Sequence, residues 1–131
     1  MTALYLDSSA FVKVVVEEAE SAALRSMLAA SGAQRVSSSL LRTESLRAVR
    51  YLGPSALLVV REGLRRVGLI SVDDRILDAA GVLEPAVLRT LDAIHLATAL
   101  AIGDDLEAIV TYDERMIAAA GLLGLTTTSP H

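Results

Sequence analysis

The chain has 131 residues, enough for one domain and too few for two comfortable ones. It is 53% hydrophobic with only 3% aromatics, has no cysteine and a net charge of −4, and its mean hydropathy is +0.50. These values exclude a disulfide framework and a thiolate metal site, and they argue against a protein that coats nucleic acid by bulk attraction.

The most apolar stretch, Ala93 to Gly103, is bounded by Asp92 and Asp104 and interrupted by His95. It falls well short of the roughly 20 residues of a membrane-spanning helix. No basic region followed by a long apolar run opens the chain, so no secretion signal is expected and the expected address is the cytosol. Apolar material beyond the needs of one small core points to a partner or a second copy of the chain.

In chain order, Ala3–Leu6 reads as a strand, with Ser8 or Ser9 able to cap the helix that follows. A helix over Glu20–Ala30 closes at Gly32. A short strand over Arg35–Ser38 leads into a helix from about Ser39 to Leu52, stopped by Gly53 and Pro54. Another helix spans Ser55–Arg66. Gly68–Val72 ("GLISV") is a strand, and Asp73 caps a helix ending at Gly81. Arg89–Ile102 is helical, Ala108–Thr111 a strand, and Glu114–Ala120 a helix ended by Gly121. "LTTT" gives a last strand before "SPH", and the tail from about residue 128 is expected to be loose. Short strands apolar on both faces, alternating with helices, predict a single α/β domain with a mostly parallel sheet covered on both sides. Ligands of such sheets gather at the carboxyl ends of the strands.

Four acidic residues stand out against that frame. Asp7 follows the first strand and Asp113 follows the strand ending near Thr111; either could simply cap a helix. On the helix over Ser39–Leu52, Leu41, Ala48, Val49 and Leu52 share one side, and Arg42, Arg47 and Arg50 the other. Glu44 lies within about 60° of the centre of the apolar stripe, at the rim of the core or facing a cation. Asp92 opens "LDAIHLATALAIG", a helix apolar all the way round, where an unpaired carboxylate is costly. His95, one turn on, can hydrogen-bond Asp92, and reads as a core histidine beside the site more readily than as a metal ligand.

Four acids on four elements repel one another unless a cation lies among them. Hard divalent ions, Mg²⁺ or Mn²⁺, take oxygen ligands, whereas zinc lacks a ligand set here. Such an ion can activate water and clamp a phosphate's charge, the chemistry of phosphodiester hydrolysis. Other acid-bearing α/β enzymes fit less well. A dehalogenase-like phosphatase needs an aspartate two residues after the first, where Ser9 stands. A phospho-receiver needs adjacent acids at the first strand's end, where only Asp7 is found.

The blocks "YLDSSAFVK", "SSLLRTESLRA", "LRTLDAIHLATAL" and "IVTYDERMIAAAGLLGL" resemble, in order and spacing, those of PIN-domain ribonucleases, most of all the VapC-type toxins of VapBC toxin–antitoxin pairs. The resemblance spans essentially the whole chain. It implies a three-layer α/β/α sandwich, Mg²⁺- or Mn²⁺-dependent endonuclease cleavage of RNA, a VapB-like antitoxin partner and homodimerisation. It maps the acidic positions onto Asp7, Glu44, Asp92 and Asp113, with Asp7 and Asp92 as direct metal ligands and Glu44 and Asp113 completing the cage. Ser9 would position Asp7 or a metal-bound water. Lys13 and Arg115 would contact phosphate or partner, or would be ordinary solvated charges. A non-catalytic scaffold that binds antitoxin or RNA is the alternative from another class.

Overall fold

The computed structural model describes all residues, Met1–His131. Five strands, β1 (Ala3–Leu6), β2 (Gln34–Ser38), β3 (Gly68–Ile70), β4 (Leu106–Val110) and β5 (Thr127–Thr128), form one sheet in the order β3-β2-β1-β4-β5. Every pairing is parallel. Seven helices connect and cover them: α1 (Ser8–Val15), α2 (Ser21–Ala30), α3 (Leu40–Val49), α4 (Pro54–Leu64), α5 (Asp74–Gly81), α6 (Thr90–Ile102) and α7 (Glu114–Leu122).

The period-2 geometry of the strands splits the core in two. Leu4 and Leu6 of β1 and Ala108 and Val110 of β4 face Phe11, Leu24, Leu28, Leu41, Val49, Val60 and Leu64 from α1–α4. Tyr5 and Ile109, on the opposite face, meet Leu96 and Ala99 of α6 and Met116, Ala119 and Ala120 of α7. Helix α5 packs on α6 through Ile76, Ile94 and Ala97. The result is the three-layer α/β/α sandwich. Each fully buried side chain such as Phe11 contributes about 1.5–3 kcal/mol by leaving water. No helix is long and apolar enough to cross a membrane.

Helices α1 and α4 approach so closely that a Cβ on Gly63 would lie 2.6 Å from Val15 Cγ1 and 3.2 Å from Phe11 Cζ. Gly53, at φ +93°, makes the bend into α4, whose first residue is Pro54.

Three expectations are corrected. Helix α1 is capped not by Ser8 or Ser9 but by Asp7, the other cap open at that position, whose Oδ1 accepts from Ala10 N at 3.0 Å. The helix expected to reach Leu52 ends at Val49, and Arg50–Leu52 tightens into a 3₁₀ turn. That change of angular step turns Leu52 outward; Ala48 is exposed as well, and the buried stripe is Leu41, Ser45 and Val49. Ser45 joins it because its hydroxyl is satisfied by Leu41 O at 2.6 Å. In place of a loose tail, Thr128 pairs in β5, Ser129 Oγ donates to Thr111 O and Pro130 O accepts from the Tyr112 hydroxyl.

From β1 the chain steps outward to β2 and β3, then returns to β4 on the other side of β1. The crevice of such a sheet lies where the order reverses, between the carboxyl ends of β1 and β4. Asp7 and the segment Thr111–Asp113 stand there.

Candidate active site

Asp7 follows β1 directly and is 4% exposed. Its backbone N–H reaches across to Val110 O of β4 at 3.2 Å, fixing the turn against the neighbouring strand. Oδ1 accepts from the Ser9 hydroxyl at 2.6 Å as well as from Ala10 N, and Oδ2 accepts from the fully buried Thr111 hydroxyl. Burial pushes the Asp7 carboxyl up, and the three donors oppose that rise. Ser9 Oγ in turn accepts from Tyr112 N at 3.0 Å, and Thr111 Oγ1 accepts from Asp113 N at 3.1 Å. Two hydroxyls thus tie the turn after β1 to the turn after β4.

Asp113 caps α7, with Oδ1 accepting from Arg115 N at 2.9 Å and Met116 N at 3.4 Å. Asp92 lies in the first turn of α6, partly buried. Burial raises its carboxyl first, the negative charge of Asp113 next and that of Asp7 further, against the pull of Arg89 and His95. Asp7, Asp92 and Asp113 therefore share one electrostatic neighbourhood.

Glu44 bonds to His95 and to none of that trio. His95 Nε2 lies 2.6 Å from Glu44 Oε1, and its Nδ1 lies 2.6 Å from the Tyr5 hydroxyl. A carboxylate only accepts, so Nε2 carries a proton; in the neutral ring Nδ1 then accepts from Tyr5. His95 and Tyr5 are almost wholly buried and meet edge to face. The histidine that could have bonded Asp92, one turn away on its own helix, bonds Glu44 of α3 instead. Burial raises the Tyr5 phenol strongly, which keeps it a donor.

Lys13 is committed within the chain. Its Nζ lies 2.6 Å from Glu18 and 3.2 Å from Glu20 and stands 5.1 Å from the centre of the Tyr112 ring. The bond to Glu18 raises its pKa. Arg115 is exposed and makes no ion pair.

The donor chemistry suits a hard divalent cation: carboxylate oxygens of like charge, hydroxyls in support, no sulfur. As the side chains stand, no three acidic or histidine residues close into a metal-ligand group. Two positions escaped sequence reasoning. Thr111 was read only as a strand end, although "VTYD" places a hydroxyl where that strand meets the crevice. Tyr5 reads only as part of the Ala3–Leu6 strand, and nothing local marks its partner 90 residues away.

A family model described as PIN domain matches residues 4–122. The chain belongs to the PIN-domain family, and within it to the VapC type. Ribonuclease VapC46 of Mycobacterium tuberculosis is 52% identical over 130 residues, covering 99% of both chains. Ribonuclease VapC47 of the same species is 37% identical over 131 residues, covering 97% of this chain and 96% of that one. Among solved structures, the M. tuberculosis toxin VapC20, described as cleaving the sarcin–ricin loop, superposes with a TM-score of 0.77 at 16% identity, covering 97% of this chain and 99% of its own. A toxin–antitoxin complex from Klebsiella pneumoniae gives 0.74 at 21% identity, with 99% and 98% covered. The last two speak for the fold alone.

Proposed function

We propose that this protein is a toxin–antitoxin endoribonuclease that hydrolyses RNA at the crevice between the ends of β1 and β4. One observation carries the reading: Asp7 is buried at the topological switch point and clamped by Ser9 and Thr111, with Asp92 raised by burial and then by the charges of Asp113 and Asp7. Full-length relatedness to VapC ribonucleases supplies the substrate class.

Asp7, Asp92 and Asp113 are the side chains that would hold a divalent ion, Mg²⁺ or Mn²⁺, with Glu44 completing the set. When bound, that ion supplies an activated water and neutralises charge on the phosphodiester. The chain's own part is orientation. Ser9 and Thr111 fix both oxygens of Asp7 in the crevice, and Thr111 fixes the turn that carries Asp113. The Tyr5–His95 pair aims Glu44. The apolar wall of α6 behind Asp92 keeps the local dielectric low, which strengthens charge stabilisation there. The surroundings are those of the cytosol. A covering partner, a VapB-like antitoxin or a second copy of the chain, belongs to the same reading, supported by exposed Tyr51, Leu58 and Val59.

Incubating the purified chain with labelled RNA should give endonucleolytic products with Mg²⁺ or Mn²⁺ and none in EDTA. Cutting that persists in EDTA would remove the cation, and no cutting with either ion would remove the nuclease. A second reading, a module that binds RNA or antitoxin without cutting, is favoured by Asp7 spending both oxygens on protein donors; it predicts RNA binding without products in that assay.

A further inference from the structure

Beside Asp92, the segment before α6 and the outer face of α7 enclose an open cavity of about 500 Å³. That falls within the ~300–1,000 Å³ range of small-ligand sites. Its walls place two cations beside the acidic crevice. Arg89 and Arg115 line it, both exposed and neither in an ion pair with a carboxylate. Between them lies an aliphatic surface that includes Val87, 90% exposed, with Leu88 and Leu122. Arg89 is near enough to Asp92 to pull its carboxyl down against burial.

We propose that this groove seats the nucleotide next to the scissile phosphodiester, Arg89 and Arg115 gripping its phosphate and the Val87–Leu122 wall receiving its base. The proposal rests on the ribonuclease reading and names where that substrate lies. A phosphodiester brought to Asp92 leaves its neighbour one nucleotide away, within reach of two free guanidinium groups. Arginine forks bind phosphate in two-point fashion and offer flat faces to an unstacked base. A chain of net charge −4 attracts a polyanion only where such local cations stand. A docked acidic protein segment is the competing occupant, but it has no reason to border the acidic crevice.

The test uses a fluorescein-labelled, mixed-sequence hexaribonucleotide in EDTA, read by anisotropy, so that binding is measured apart from cleavage. Arg89→Gln and Arg115→Gln should each weaken binding about fivefold to tenfold and flatten the salt dependence of log K by about 0.7. Arg61→Gln, an exposed arginine on α4, should stay within about twofold of the parent. Arg89→Lys should recover only part of the loss, since it keeps the charge without the fork. An abasic hexamer should bind the parent several-fold more weakly, and Val87→Ser should shrink that difference. Unchanged RNA binding by both glutamine variants would overturn the subsite, and with a parent that still cleaves under Mg²⁺ the ribonuclease reading would survive. Equal displacement of the labelled RNA by polyglutamate of matching charge would mark a protein-docking surface and overturn it too.

Discussion

Asp7 and Asp73 occupy the same local structure at opposite ends of the sheet's logic. Each follows a strand, each has an extended backbone with ψ near 180°, and each accepts from the N–H three residues on at 3.0 Å. Asp73 lies beyond edge strand β3, exposed, and its carboxylate takes no further side-chain donor. Asp7 lies beyond central strand β1, buried, and takes two hydroxyls as well, one of them from β4. Capping therefore neither marks nor excludes a functional acid. What separates the two is where the sheet reverses its strand order.

The sharpest way to break that contrast is to remove the acids. Asp7→Ala or Asp92→Ala should lower RNA cleavage by about 10²–10³-fold or more with the circular dichroism spectrum unchanged. Asp73→Ala should leave cleavage at the parental rate. If all three fell together, the position in the sheet would mean nothing. Thr111→Val comes next: it strips one donor from Asp7 and one acceptor from Asp113 N. Cleavage should fall about 10–100-fold and stability by about 1–3 kcal/mol, with Thr111→Ser restoring both. Asp73→Ala should cost only about 1 kcal/mol in urea unfolding, the worth of a cap.

The smallest effect is a pH dependence. Asp92 has a folded-state pKa above its ordinary 3.8, so folding favours its protonated form. The stability it lends is full below that ordinary value and is lost as pH rises through the folded one. At neutral pH the charge opposes the fold. Asp92→Asn should therefore raise the melting temperature in EDTA at pH 7 by at most a few degrees, and the gain should vanish towards pH 4. A loss of stability at pH 7 would mean Asp92 is paired rather than crowded.

Much of the frame was legible because each strand is short, apolar on both faces and punctuated by a cap or glycine. β1 matched residue for residue, and α6 was marked as enclosed by its lack of a polar face. The acids could be picked out as candidates because caps and rim positions on separate elements are visible in sequence. Their partners were not. Thr111 reaches Asp7 across 104 residues, and His95 reaches Glu44 across 51, through contacts that only sheet order creates. The outward turn of Leu52 was hidden too, since a 3₁₀ step has no distinct sequence period over three residues.

The close crossing at Gly63 offers a handle far from any acid. A single methyl there would strike Val15 and Phe11 of the helix that begins just after Asp7. Overpacking of that kind costs about 1–3 kcal/mol. Set against the roughly 1 kcal/mol that alanine gains over glycine inside a helix, alanine at this position should lower the melting temperature by at most several degrees and leave the acidic crevice as it is.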